Sequence, residues 1–130
     1  MKKIISILCS LLCLAGCSES AEQELGYRQI TMDKAISMME TEKDYIILDV
    51  RTIEEFSDKH IPGAICIPNE TIGTEEVPEL QDKDQLIMIY CRSGNRSKQA
   101  SEKLVALGYT NIVEFGGIID WPGQTVSGNN

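Results

Sequence analysis

The sequence predicts an α/β domain in which a parallel sheet is covered by helices on both faces. Three observations carry this. Short apolar, β-branched runs alternate with segments of helical period, the alternation that strand–helix–strand units produce. The run Leu86-Ile-Met-Ile-Tyr90 is apolar throughout, as strands buried on both faces are. It ends in Cys91-Arg-Ser-Gly-Asn-Arg96, a polar loop at a strand's carboxyl end, which is where open α/β sheets bind ligands.

The elements follow in order. A length of 130 residues allows one domain. Residues 1–16 read as an export signal: Lys2 and Lys3 precede an apolar stretch over 4–14, too short to span a bilayer. Leu14-Ala-Gly-Cys17 resembles the lipobox of bacterial lipoprotein precursors. That resemblance implies cleavage before Cys17 and a diacylglycerol on its sulfur. The mature protein would then sit outside the cytoplasm, held on a bacterial membrane by lipid without crossing it. Residues 17–26 read as a polar tether, 27–123 as the domain and 124–130 as a polar tail.

Thr31 can cap a first helix reaching about residue 40, with Met32, Ala35, Ile36 and Met39 on one stripe. Tyr45-Ile-Ile-Leu-Asp-Val50 is a strand, with Asp49 and Arg51 bracketing its end. Thr52-Ile-Glu-Glu55 is a capping box that opens a short helix. His60-Ile-Pro-Gly-Ala64 is a turn, so His60 reads as structural. A short strand over 64–67 contains Cys66, a packed, inert thiol. A single helical turn is expected within 75–80. After the strand over 86–90, a helix runs over 95–107 with Ala100, Leu104 and Leu107 buried, and Gly108 follows its end. A last strand covers 111–115. Gly116 and Gly117 give the backbone freedom beyond it, and Trp121-Pro-Gly123 closes the fold.

Charge and cysteine usage narrow the chemistry. A formal net charge of −8 argues against nucleic acid as a partner. It also makes the local pair Arg92 and Arg96 stand out. Of five cysteines, Cys9 and Cys13 lie in the leader and Cys17 sits at its end, leaving Cys66 and Cys91 in the domain. With no Cys-x-x-Cys and one histidine, no metal-ligand set is present. Cys91 stands at a strand end, ahead of a helix N-terminus and flanked by arginines, the setting that favours a reactive thiolate. The small residues Ser93, Gly94 and Asn95 let successive N–H groups converge on one anion. The loop is therefore a candidate anion cradle with a nucleophile at its base.

Four segments together resemble the rhodanese (sulfurtransferase) family: Asp49-Val-Arg51 with Glu54-Glu-Phe56, His60-Ile-Pro-Gly-Ala-Ile65 with Ile67-Pro68, Cys91-Arg-Ser-Gly-Asn-Arg96 with Ser97, and Gly116-Gly117 with Trp121. The resemblance implies a rhodanese-like fold around a central five-stranded parallel sheet. It implies that Cys91 carries a persulfide between a sulfur-containing anion and a thiol or cyanide acceptor, without a cofactor. Cys91 matches the nucleophile, the backbone of Arg92 to Ser97 the cradle, and Arg96 its closing arginine. Asp49 and Arg51 match a structural pair beside the site. Related phosphatases and arsenate reductases use Cys-x5-Arg, a loop wide enough for a tetrahedral oxyanion, whereas Cys91 and Arg96 frame Cys-x4-Arg. No general base is needed if the thiol is already ionised. Two other readings compete: a carrier or docking module using the same loop, and a redox role in which Cys66 and Cys91 form a disulfide. The protein is expected to act as a monomer.

Overall fold

The computed structural model describes residues 25–73 and 75–129. The export signal, Cys17 and most of the tether lie outside the described residues. Five strands form one sheet in the order β1-β5-β4-β2-β3, with every neighbouring pair parallel. They are β1 Arg28–Gln29, β2 Tyr45–Asp49, β3 Ile65–Cys66, β4 Leu86–Cys91 and β5 Ile112–Gly117. The helices are α1 Met32–Thr41, α2 Ile53–Asp58 and α3 Asn95–Ala106. The expected α/β architecture is realised.

β4 is the central strand and is buried along its whole length, which explains its unbroken apolar sequence. Its side chains alternate between two cores. Ile87, Ile89 and Cys91 join Leu48, Val50, Ala100, Leu104 and Ile112 under α3. Met88 and Tyr90 join Ala35, Ile47, Phe56, Val113 and Phe115 under α1 and α2. Helices therefore cover both faces. Leu48, Ile87, Ile89 and Leu104 are fully buried, each contributing about 1.5–3 kcal/mol relative to exposure.

Local chemistry sets the helix starts. The Thr31 side chain accepts from the Lys34 N–H at 3.2 Å. Thr52 and Glu55 form the expected capping box, with the Thr52 hydroxyl accepting from the Glu55 N–H at 3.1 Å and Glu55 accepting from the Thr52 N–H at 3.0 Å. α3 instead starts from Gly94 at φ 115°, with no side chain closing its N-terminus.

Several local expectations change. The fifth strand is β1, a two-residue edge strand paired with β5, too short to leave a periodic signal. On α1 the residue that packs inward beside Ala35 and Met39 is Met38, not Ile36. Within 75–80 the chain makes one hydrogen-bonded turn, the Leu80 N–H donating to the Val77 carbonyl at 2.9 Å, and the short helix of this segment forms earlier, at Asn69–Thr71. There Pro68 sets φ −57° at the start, and the Thr71 hydroxyl donates to the Pro68 carbonyl at 2.7 Å. On α3 the buried face includes Ser97 and Ser101 as well as Ala100 and Leu104. The polar tail is pinned: His60 and Val126 exchange backbone hydrogen bonds, and the Gly128 N–H donates to the Ser57 carbonyl at 2.8 Å.

Candidate active site

Cys91 ends β4 with 1% of its surface exposed. The turn after it brings the Gly94 N–H to 3.0 Å from its sulfur. That contact needs a left-handed residue at the turn, and Gly94 supplies one at φ 115°. The open N-terminus of α3 begins immediately beyond, so its partial positive charge lies beside the sulfur. The register between β4 and β5 shifts here, pairing Ile89 with Glu114 but Cys91 with Gly117. β5 thus carries one extra residue at its end, where Gly116 takes φ 98°. This bulge lets Gly117 pass directly beneath the loop: a Cβ on Gly117 would lie 1.9 Å from the Arg92 carbonyl oxygen.

Two buried polar residues support the sulfur from below. Ser97, in the first turn of α3, has its hydroxyl 3.5 Å from the Cys91 sulfur and 2.5 Å from Glu114 Oε2. Glu114 is 3% exposed and accepts the Gly116 N–H at 2.9 Å. Sequence reading placed Ser97 in the loop but missed Glu114. The signal was present, because Glu114 is the one charged residue in the apolar run Ile112-Val-Glu-Phe115.

The arginines do not act as a free pair. Arg96 binds Glu55 through both terminal nitrogens, at 2.8 and 3.1 Å. This hydrogen-bonded partnership holds the Glu55 carboxyl well below its ordinary value, at about 2, against the opposing effect of burial. Glu55 was legible as a cap but not as the counter-ion of the loop, because its partner lies 41 residues away. The positive charge of Arg96 is therefore matched by Glu55. Arg92 is exposed at the rim, as are Ser93 and Asn95. Beside that rim a cavity of about 300 Å³ is lined by Arg92, Arg51, Glu55, Asp58, Lys59, Ile118 and Ile119.

Asp49 and Arg51 form a buried pair at the end of β2, with Arg51 Nη2 2.7 Å from Asp49 Oδ2. Arg51 also donates from Nε to Asp49 and from Nη2 to the Lys59 carbonyl, at 2.7 Å. The Tyr90 phenol packs beside them; burial, then the negative charge of Asp49, pushes it upward. Its oxygen accepts the Ile61 N–H at 3.1 Å. His60 is buried, stacked on Phe56 at 3.6 Å between ring centroids, with Nδ1 2.8 Å from the Phe56 carbonyl oxygen.

Cys66 is half-buried, and burial followed by the nearby Asp49 charge pushes its thiol up to about 11. It borders a groove of about 650 Å³ that contains no residue of the Cys91 loop. Both cysteines are free thiols. They cannot join without rebuilding the sheet, which argues against the competing disulfide reading. β2 lies between β3 and β4, placing the two residues roughly 10 Å apart. Their side chains also belong to opposite cores, whereas a disulfide needs Cα atoms within about 7 Å and converging Cβ vectors.

Comparison with known proteins agrees with this geometry. Residues 31–122 match the rhodanese-like domain. The chain is 36% identical to thiosulfate sulfurtransferase PspE of Escherichia coli, over 56% of this chain and 70% of that protein. It is 31% identical to YrkF of Bacillus subtilis, provisionally named a sulfur carrier protein, over 85% of this chain and 59% of YrkF. The chain thus spans about three fifths of YrkF. Among solved structures, a rhodanese with anions from E. coli superposes with a TM-score of 0.59 at 33% identity, covering 65% of this chain and 99% of that one. A rhodanese-like domain protein from Staphylococcus aureus gives 0.62 at 33% identity, covering 75% and 93%. With its parallel sheet, its loop after β4 and this match over most of the domain, the chain belongs to the rhodanese-like family of sulfurtransferases and sulfur carriers.

Proposed function

We propose that the protein is a sulfurtransferase that moves a sulfane sulfur from thiosulfate or another persulfide donor to a thiol or cyanide acceptor, through a persulfide on Cys91. The observation that carries this reading is the Gly94 N–H aimed at the Cys91 sulfur at 3.0 Å, on the floor of a loop facing an open helix N-terminus. The Cys91 sulfur attacks the outer sulfur of thiosulfate, a new S–S bond forms, and the old one breaks as sulfite leaves with its electron pair. Loop N–H groups, the α3 terminus and the rim guanidinium of Arg92 offset the repulsion between two anions. The cradle then holds the outer sulfur until a nucleophile removes it.

The test loads the protein with thiosulfate and records its intact mass, then adds cyanide and assays thiocyanate, with Cys91→Ser in parallel. A gain of one sulfur atom, released as thiocyanate and absent in Cys91→Ser, supports the reading. A gain that persists in Cys91→Ser sinks it. The burial of Cys91 and the likeness to YrkF favour a second reading, a carrier loaded only by a protein partner. That reading predicts no gain from thiosulfate and a Cys91 persulfide after exposure to a persulfidated protein.

We further propose that a lipid on Cys17 holds the protein on a bacterial membrane, outside the cytoplasm. No helix among the described residues is long and apolar enough to cross one. Cys17→Ala is expected to move the protein from the membrane fraction to the soluble fraction; an unchanged distribution removes the proposal.

A further inference from the structure

The Ser97 hydroxyl has one proton and four neighbours that could take part: Glu114 Oε2 at 2.5 Å, the Gly94 carbonyl at 3.0 Å, the Gly116 carbonyl at 3.4 Å and the Cys91 sulfur at 3.5 Å. A hydroxyl donates once. The nearest partner is the buried Glu114 carboxylate, whose Oε2 also accepts the Gly116 N–H. With its proton on Glu114, Ser97 presents a lone pair to Cys91, and the sulfur must be the donor in that contact. The same three atoms therefore fit two proton arrangements: a Cys91 thiol beside an ionised Glu114, or an anionic sulfur that accepts from Ser97 while Glu114 holds the proton. An anionic sulfur beside an ionised Glu114 would place two negative charges one hydroxyl apart. Both groups are at least nine-tenths buried, so water does not screen the two charges from each other.

We propose that Glu114 is a positioning residue that takes the Cys91 proton through Ser97 and keeps it while the site carries sulfur. The Cys91 S–H bond breaks and its proton passes to Ser97 Oγ, while the original Ser97 proton passes to Glu114 Oε2. Ser97 then donates to the anionic sulfur beside the Gly94 N–H, and the protonated Glu114 donates to Ser97. The three residues carry one negative charge before and after. Loading balances in the same way: thiol, Glu114 carboxylate and thiosulfate give persulfide anion, Glu114 carboxylic acid and sulfite. When cyanide takes the outer sulfur, the proton returns to Cys91 and thiocyanate leaves.

The other ionisable groups nearby are Tyr27, which precedes β1, and Glu102 on α3. The Tyr27 phenol is pushed upward by burial, then by Glu102, then by Glu114. Arg96, which faces the Cys91 side, is held by Glu55. None of them hydrogen-bonds Ser97, so the exchange stays within Cys91, Ser97 and Glu114. The inference rests on Cys91 being the nucleophile, and its first test needs no sulfur transfer.

That test is the pH profile of Cys91 alkylation by iodoacetamide in the full chain, with the Cys91→Ser signal subtracted. Removing a buried negative charge favours the thiolate, so Glu114→Gln is expected to move the midpoint down by about one pH unit or more. Ser97→Ala removes the hydroxyl donor of the thiolate and is expected to move it up. An unchanged midpoint in Glu114→Gln, or shifts of the same sign in both variants, overturns the proposal. The second test uses the unsubstituted protein, which removes any dependence on how a variant folds. Loading with thiosulfate is expected to create a protonated-carboxyl infrared band that cyanide then abolishes. A loaded protein without that band also overturns the proposal. Failure to load at all counts against the sulfurtransferase reading instead, and the alkylation profiles then decide.

Discussion

The carbonyl oxygen of Arg92 occupies the space where any side chain on Gly117 would begin, 1.9 Å from an ideal Cβ. Gly117 has an extended backbone, φ −141°, so the requirement for glycine is one of space and not of conformation. The loop that holds the sulfur and the bulged end of β5 are therefore a single packed unit. The Ile119 N–H donates to the same carbonyl at 3.3 Å.

Gly117→Ala is expected to push the loop off β5. Overpacking of this kind costs about 1–3 kcal/mol, which lowers the melting temperature of a domain this size by roughly 4–8 °C per kcal/mol. Displacement of the Gly94 N–H from the sulfur is expected to slow loading by thiosulfate by about a hundredfold, the scale set by a 1 Å misplacement. Thermal melts and loading rates check both; full loading in a less stable protein would show that the close approach is structural only.

Asp49→Ala leaves Arg51 buried without its carboxylate. Removing one partner of a buried pair costs about 3–5 kcal/mol. Arg51 retains the Lys59 carbonyl, so the loss is expected at the lower end of that range. Chemical denaturation measures it, and a change below about 1 kcal/mol, the ceiling for an exposed pair, would mean that the pair is not buried in solution.

The Arg96–Glu55 pair ties α3 to α2 and gives stability an acid limb. The Glu55 carboxyl lies at about 2 in the folded protein against 4.5 ordinarily. A depressed carboxyl adds stability that is complete above about 4.5 and lost as pH falls toward about 2. Glu55→Gln is expected to lower stability at neutral pH by about 0.2–1 kcal/mol, the scale for a partly exposed pair. It is also expected to flatten that limb of the pH–stability curve. Parallel acid-denaturation profiles that differ only by a constant offset would contradict this.

Cys66 has a thiol pushed up to about 11 and no place in the Cys91 loop. Cys66→Ser is expected to leave thiosulfate loading within about twofold, a change of about 0.4 kcal/mol. Loading rates of the two proteins compared at neutral pH check this. A loss beyond tenfold would bring Cys66 into the reaction.

Much of this protein was legible along the chain. Periodicity and turn chemistry located α1, β2, the Thr52–Glu55 cap, β4, α3 and β5, because each is determined by residues within about ten positions of one another. The nucleophile was legible for the same reason: Cys91, Gly94 and the start of α3 are neighbours in sequence, and local backbone geometry suffices to bring an N–H to a sulfur. The edge strand β1 was not legible, since two residues carry no period. Nor was the state of the charges. Whether Arg96 is free or matched depends on Glu55, 41 residues earlier, and the carboxylate beneath Ser97 comes from β5, 17 residues later. The same holds for the separation of Cys66 from Cys91, which follows from strand order and sheet face. Backbone conformation is set by near neighbours, whereas the electrostatic environment of a buried group is set by whatever the sheet and its helices pack against it.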